Sequence, residues 1–594
     1  MVYHTNGNSS FGGLAGSVAS RLKWPKNWLD LPVTAVFVLI CLVGLPILFA
    51  WIGTPPFSSY GFNTAWFAAF EAQLDQGVLY PRALPDLWYG LGGLDFFFYA
   101  PLPFYVAAGP ARWLCESCSV QTVFALQGGF MWGASILAFY PLARRFVGPI
   151  PAAVAALTYG FLPYHLNADW FVRQATGEFA AFVFVPIVAL GVHSTLRDGR
   201  ANLVLPLGLA GLILSHLPTT LLAVHIFGVI FLAHALWKPR EARDAFLPLL
   251  TMGIIGVMLA APYWLPALAL LGDVSPEALY DIDIMRPIPH LLFSGDALPF
   301  QNWEWLNFYS LAAGFAAAGL LVFRAREIRA EVLIWAVVPL AMAAFLNIAL
   351  SAPIWEHWII NMVQLPYRLM LFSDLAIALT VGWLLSGLAK ARHVRHGLEQ
   401  TAALLLIGAA VAAQAPNVHY GILKAQQVKH QQIDMQGALE YMPPQFYKSA
   451  SAIVEERGGI YWQTRDVVKE WVEEIRTGVL PALSPESSES RQRVFETPPE
   501  GGTMLLAMPY WRHLAAETAG GVPVPLRAEA QHGFTLADIP NDTKRVIVIL
   551  PWHWSEILGF GLAAAGLVAT GFLALLFHRR SRKLGSLTGI NTPK

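Results

Sequence analysis

The chain has 594 residues, 56% hydrophobic and only 13% charged, with Lys+Arg and Asp+Glu equal at 39 each. Soluble domains carry about 25% charged residues and rarely grow one core to this length, so an ordinary soluble enzyme is excluded, and the balanced charge gives no sign of a nucleic-acid partner. Three cysteines, Cys41, Cys115 and Cys118, exclude a disulfide scaffold. Cys115 and Cys118 read either as a local disulfide or as two small residues near a helix end; without a second pair or a His cluster they do not read as a zinc site.

Residues 1–30, with Arg21, Lys23 and Lys26, form a basic N-terminal segment. The apolar run 31–51 follows, about 20 residues, the length that crosses a bilayer. It is longer than a secretory h-region, so it reads as an uncleaved first span. A first loop over 53–119 is rich in aromatics, Pro and Gly and predicts helices lying along the membrane face. Further apolar runs lie at 120–143, 149–163, 179–196, 201–215, 218–237, 245–265, 306–323, 332–350, 367–389, 400–415 and 554–577, giving about twelve spans.

The loops test this count. With the N-terminus cytoplasmic, each inward loop should carry the Lys/Arg excess. Those loops hold Arg144 and Arg145; Arg197 and Arg200; Lys238, Arg240 and Arg243; Arg324, Arg326 and Arg329; and Lys390, Arg392 and Arg395. The tail 579–594 adds Arg579, Arg580, Arg582 and Lys583. Both termini are therefore expected inside, and 31–415 is expected as a membrane domain. A segment at 416–552 is expected outside, ahead of a last helix at 553–578. This outer segment opens with helical sequence, passes a mobile-looking linker ALSPESSES (482–490) and ends in the strand-like pieces TMLLAMPYW, GFTLADI and RVIVILPW. The expected fold class is an all-α polytopic membrane protein with a small extracytoplasmic β-rich domain near the C-terminus.

Four groups on the expected outer side carry chemistry: Glu71, Asp75, Arg82, Asp86 and Asp95 in the first loop; Asp169-x3-Arg173-x4-Glu178; His216 in SHLPTT; and Gln364-Leu-Pro-Tyr-Arg368. Acids and cations at one membrane depth suit a polar cavity for a charged substrate. Carboxylates can deprotonate a hydroxyl or hold a divalent cation such as Mg or Mn, and arginine can clamp a phosphate. The plainer readings stand beside these. Asp169, Arg173 and Glu178 can simply pair along a helix start, Arg368 can snorkel to the interface, and His216 can cap a helix. Gly90, Gly92 and Gly93 lack the GK[ST] and strand–helix context of a nucleotide loop.

At these residues the sequence resembles the bacterial and archaeal membrane proteins called 6-pyruvoyl-tetrahydropterin synthase-related, which are similar to the GT-C superfamily of glycosyltransferases. The matching pieces, in order, are GVLYPR (77–82), the segment from YG to FFFYAPLPFY (89–105), DWFVRQATGEFAAFVFVP (169–186), SHLP (215–218), QLPYR (364–368) and EYMP (440–443). The resemblance implies a GT-C-like fold in a bacterial inner membrane. It implies transfer of sugar from a polyprenyl-phosphate donor to a lipid or glycan acceptor on the extracytoplasmic face. It places Asp169 as the second acid of the site, with Arg173 and Glu178 beside it. Together with the residues themselves, this makes Asp169 and Glu178 the expected catalytic acids and Arg82, Tyr99, Arg173, His216, Gln364 and Arg368 the expected substrate contacts. Relatives carry Asp, then His three residues on, in the first loop; here that register falls on Asn63 and Trp66. An amide is no general base at neutral pH, so Glu71, eight residues further on, is the expected substitute. The substitution also opens a second reading, a non-catalytic member that binds lipid carriers or glycans. A transporter is a third, though no duplicated halves are visible.

Overall fold

The computed structural model describes residues 30–280, 285–295, 302–323, 330–357, 359–388, 394–428 and 431–587. The cations Arg21, Lys23, Lys26, Arg324, Arg326, Arg329, Lys390 and Arg392 lie outside the described residues. Long apolar runs fold as helices because lipid offers the backbone no hydrogen-bond partners. In chain order they are α1 (Ala35–Ile52), α2 (Tyr60–Asp75), α3 (Val120–Ala143), α4 (Pro149–Phe161), α5 (Thr176–Asp198), α6 (Val204–Ser215), α7 (Leu217–Trp237) and α8 (Pro239–Leu259). The series continues with α9 (Asn302–Phe323), α10 (Ala330–Leu346), α11 (Met370–Leu388), α12 (Val394–Ala413), α13 (Ala415–Val428) and α14 (Trp554–Leu587).

Among the described residues, nine helical segments are long and apolar enough to cross a membrane. Three expected spans are shorter: α4, α6 and α10 have 13, 12 and 17 residues. A 12-residue helix is about 18 Å long, against about 30 Å of hydrocarbon. α6 stops early because His216 turns the chain with φ −162° and starts α7 at the next residue. At the other end of the chain's membrane part, α12 and α13 together form a 32-residue apolar stretch, Gly397–Val428. The helix thus runs on past 416, where the outer segment was expected to begin.

The first loop also differs from its expectation. α2 does not lie on a surface: Asn63, Ala65, Trp66, Phe67, Ala69, Phe70 and Gln73 are all buried, and it packs on α3. Trp66, Phe70, Phe96, Tyr99 and Phe104 close into one aromatic cluster, with Trp66 and Tyr99 ring centres 4.4 Å apart. Cys115 and Cys118 form a disulfide in the turn before α3.

α1 crosses α3 at Gly129 and Gly133, where a Cβ would enter the backbone of Leu45–Pro46 and the Cys41 carbonyl. This is the small-x3-small spacing that lets membrane helices approach closely.

Two helices, Pro444–Glu456 and Thr464–Thr477, precede two four-stranded sheets. The sheets hold β1 (Ala482–Leu483), β2 (Ser487–Ser488), β3 (Gln492–Glu496), β4 (Gly502–Pro509), β5 (Ala515–Thr518), β6 (Leu526–Ala528), β7 (Phe534–Ile539) and β8 (Arg545–Ile549). Their orders are β1-β4-β7-β6 and β2-β3-β8-β5, and Phe495, Leu506, Ala537, Val546 and Val548 fill the core they share. The strand-like pieces read from the sequence are β4, β7 and β8. ALSPESSES is no loose linker, because it supplies β1, parallel to β4, and β2, antiparallel to β3.

Arg493 on β3 donates to the carbonyls of Pro85 and Gly90 at 3.0 and 3.1 Å. Gly92, at φ +85°, leaves the room this guanidinium occupies. That packing is the physical reason for a glycine at position 92.

Replacing Gly133 by Leu forces α1 off α3 and is expected to cost about 1–3 kcal/mol or more, as overpacking does. Gly228→Ala, where nothing lies within 4 Å, is expected to leave the melting temperature in detergent unchanged. Equal melting of both variants and the parent would show that the crossing does not depend on Gly133.

Candidate active site

Between α4 and α5 the chain makes a π-helical turn, Tyr164–Val172, with every residue from Tyr164 to Phe171 buried. π-Turns recur at functional sites. This one sets Tyr164 and Asp169 on the side that meets Arg173. Gln174 then reverses the backbone at φ +53°, and α5 begins with Glu178 in its first turn, where the helix dipole favours an acid.

Arg173 is the hub. Its Nη1 donates to Asp169 Oδ1 at 2.8 Å, to Glu178 Oε2 at 2.9 Å and to the Tyr164 hydroxyl at 2.9 Å. Tyr164 donates in turn to Glu178 Oε1 at 2.5 Å. Arg368 reaches the same carboxylate, with Nε 3.1 Å from Glu178 Oε2, and fixes itself on the Val363 carbonyl through Nη1 at 2.6 Å. Two carboxylates thus face two guanidiniums inside an apolar bundle. Nη2 of both arginines and Nε of Arg173 have no partner among the described residues.

Tyr99 and His216 flank this cluster. A Cβ on Gly177 would lie 3.3 Å from the Tyr99 hydroxyl and 3.4 Å from His216 Cδ2. His216 caps α7 through Nδ1, which accepts the Thr219 N–H at 3.3 Å. Burial first, then Arg368, lowers its pKa to about 3, so the ring is neutral. Tyr99, His216, Tyr280, Glu440 and Tyr441 are half-buried, whereas Asp169 and Glu178 are enclosed.

Several polar atoms here are enclosed and unpaired: Asn63 Oδ1, both amide atoms of Asn167 and of Gln174, Asp169 Oδ2 and Thr176 Oγ1. Buried polar atoms seldom lack a partner unless water or a ligand supplies one. Asp169's own pKa is pushed well up by burial and by Glu178, against the pull of Arg173 and Arg368.

The other sequence candidates go elsewhere. Glu71 shares α2 with Asn63 but lies eight residues, about 12 Å, along it. Both its oxygens are bound at 2.6 Å by Arg112, whose Nη1 also donates to the Cys118 carbonyl. Arg82 is buried in a second ion pair, 3.1 Å from Glu556 on α14, and donates to the Pro262 carbonyl at 2.7 Å. It clamps the first loop to the last helix. Gln364, at φ +67°, opens the turn that carries Arg368, and its side chain makes no hydrogen bond among the described residues. The reading of the sequence missed Tyr164, whose only signal was a phenol five residues before Asp169. It also gave no role to Asp95, which accepts the Trp66 indole N–H at 2.8 Å.

A divalent cation does not fit these donors. Among the described residues no three His, Cys, Asp or Glu side chains gather as ligands, and Asp169 and Glu178 both face guanidiniums.

No family model and no curated protein matches the chain. Among solved structures it is similar to the arabinofuranosyltransferase AftD from Mycobacteria, with 17% identity and a TM-score of 0.42 over 73% of this chain and 29% of that one. It is also similar to the oligosaccharyltransferase AglB from Archaeoglobus fulgidus in complex with an inhibitory peptide and a dolichol-phosphate, with 13% identity and a TM-score of 0.38 over 73% of this chain and 58% of that one. The chain therefore spans less than two thirds of either, and at these TM-scores no residue role follows from the likeness.

Asp95 supplies a pH test of the site's wall. Burial raises its pKa from 3.8 to about 7. Between those values the folded chain holds a proton that the unfolded chain has lost, so stability falls as pH rises through the window. In Asp95→Asn the fall in melting temperature from pH 4 to 7 is expected to shrink; an unchanged slope would show that Asp95 is ionised in the fold.

Proposed function

We propose that this chain is a GT-C-type membrane glycosyltransferase that moves a sugar from a polyprenyl-phosphate carrier to a lipid or glycan acceptor on the extracytoplasmic face. The observation that carries the reading is the pair Arg173 and Arg368. Each is held by Glu178 yet keeps a guanidinium nitrogen that has no partner among the described residues. A planar fork with free N–H groups is the shape that binds a phosphate. The uncharged His216 and the Tyr99 hydroxyl beside Gly177 supply the polar lining expected for a sugar. The sequence resemblance to the 6-pyruvoyl-tetrahydropterin synthase-related membrane proteins supports the same reading.

In the proposed reaction an acceptor hydroxyl attacks the anomeric carbon. The bond from that carbon to the phosphate oxygen breaks, and polyprenyl phosphate leaves with the electron pair. Arg173 and Arg368 hold the charge that develops on it, in a site where water is scarce and electrostatic stabilisation is strong. Asp169, through Oδ2, hydrogen-bonds the sugar, and Glu178 aims both arginines. Two features support the outward placement. The site end of the bundle carries the Cys115–Cys118 disulfide, which belongs to an oxidising compartment. The opposite helix ends carry Arg144 and Arg145, Arg197 and Arg200, and Lys238, Arg240 and Arg243, as cytoplasmic loops do.

One observation favours the non-catalytic alternative, which binds the carrier without turnover. Asn63 stands where relatives carry an acid, and its amide donates to the Gln174 carbonyl at 2.6 Å. Proteoliposomes supplied with radiolabelled polyprenyl-phosphate sugars and lipid or glycan acceptors separate the two. On the transferase reading, Arg368→Gln weakens donor binding about 10- to 100-fold, the worth of a charged hydrogen bond. Asp169→Asn lowers transfer on the order of 10²-fold. Donor binding by the parent with no transfer to any acceptor selects the alternative, and an Arg368→Gln variant indistinguishable from the parent removes the phosphate site.

A further inference from the structure

Transfer from a phosphate carrier leaves a proton to be removed from the acceptor hydroxyl, and the first loop offers no base at position 63. A different part of the chain brings an acid to the same place. After α13 the chain runs back along the first loop: the Tyr89 N–H donates to the Met435 carbonyl at 3.2 Å, and Gly437 lies flat against the Trp88 indole. The Ala438 N–H points at Asp95 Oδ1, 3.4 Å away. Leu439–Tyr441 then forms a single 3-10 turn. The Ser275 N–H donates to the Glu440 carbonyl at 3.2 Å and the Ser275 hydroxyl to the Met442 carbonyl at 3.1 Å. Tyr441 stacks on Phe98 and leans on Trp66, with ring centres 5.8 and 6.1 Å apart. Main-chain bonds and rings on both sides therefore fix the backbone of Glu440.

Its side chain is placed differently from those of Asp95, Asp169 and Glu178. Asp169 and Glu178 are enclosed and bound to arginine, and Asp95 is enclosed behind Trp66. Glu440 is half-buried, so solvent reaches it, and it lies in no ion pair among the described residues. The charged and titratable groups around it are Asp95, Tyr99, Tyr441 and Arg465. The Tyr99 hydroxyl feels Arg368, Glu440 and Asp169 together. Trp66, on which Tyr441 leans, packs on Tyr99 with ring centres 4.4 Å apart, and a Cβ on Gly177, next to Glu178, would lie 3.3 Å from the Tyr99 hydroxyl, so the turn that carries Glu440 is joined to the arginine cluster through these two rings. Asp95 Oδ1 faces this segment, while Oδ2 is enclosed against Gly93 and has no partner among the described residues.

We infer that Glu440, delivered by the segment between α13 and the helix Pro444–Glu456, is the base that takes the acceptor proton. The inference rests on the transferase reading above. As the acceptor oxygen bonds to the anomeric carbon, its proton passes to the Glu440 carboxylate. The electron pair of the broken bond leaves on polyprenyl phosphate, and Glu440 returns the proton to solvent through its exposed side. Burial holds the Glu440 pKa above the ordinary carboxylate range, which strengthens a carboxylate as a base.

The experiment compares the full-length parent, Glu440→Gln, Glu440→Asp and Glu440→Ala in proteoliposomes. The donors are undecaprenyl phosphate carrying labelled arabinose, mannose or glucose, and octyl glycosides serve as acceptors. Binding of each donor is read separately from transfer, and melting in detergent checks the fold. Glu440→Gln is expected to bind donor within about twofold of the parent while turnover drops about 10²- to 10⁴-fold. Glu440→Asp keeps part of the turnover, and formate restores turnover to Glu440→Ala. Parent-like turnover in Glu440→Gln overturns the assignment. So does a parallel loss of donor binding, which makes Glu440 a donor contact. If the parent binds donor and transfers nothing, the transferase reading itself falls and the role of Glu440 with it, a result visible before any variant is compared.

Discussion

Arg173 is the residue on which the geometry of this end of the bundle turns. A guanidinium in an apolar interior is tolerated only when paired and hydrogen-bonded. Here one nitrogen serves Asp169, Glu178 and Tyr164 at once, and Arg368 balances the second carboxylate. Two carboxyl groups and two guanidiniums share one network, so removing one member leaves its neighbours short of a partner. Leaving one buried charge without its partner costs about 3–5 kcal/mol. That requirement fixes the local backbone. The π-turn brings Tyr164 and Asp169 to one side, the left-handed Gln174 lets α5 start at Thr176, and the turn at Pro366–Leu369 delivers Arg368 from the far side of the chain.

A second buried ion cluster explains why the β-sheets are not a loose appendage. Glu556, at the start of α14 and fully enclosed, meets both Arg82 of the first loop and Arg491 at the edge of β3. Arg493 adds two hydrogen bonds to first-loop carbonyls. The last helix, the sheets and the first loop are thereby locked to one another. The 435–442 segment can then lie across the first loop in a fixed register, so the sheets act as a mould for the wall that carries Glu440.

What the sequence made legible followed from local chemistry. Hydropathy located the helices because each run satisfies its own backbone. The spacing of Asp169, Arg173 and Glu178 announced an ion cluster because i+4 and i+5 neighbours meet near a helix start. What stayed hidden depended on contacts far along the chain. Arg82 in a YPR segment looks like a phosphate ligand until Glu556 is seen beside it. Glu71 looks like a spare base until Arg112 is found holding both its oxygens. ALSPESSES reads as a linker because two-residue strands have no pattern of their own, only partners. Gly129 and Gly133 gave no signal until the backbone of α1 was placed against them.

Position 63 shows how a fold can be matched to an amide. The Asn63 amide donates to the Gln174 carbonyl at 2.6 Å, and the neighbouring turn is tied by the Ser59 N–H to the Arg173 carbonyl at 3.2 Å. An ionised aspartate at 63 has no N–H to donate; it would meet that carbonyl as one acceptor against another, and repel it. The left-handed backbone at Gln174, which aims Arg173 on one side and starts α5 on the other, is therefore matched to an amide and not to a carboxylate. An acid there would loosen the hub that holds the arginines. In this chain the amide at position 63 steadies the cation cluster.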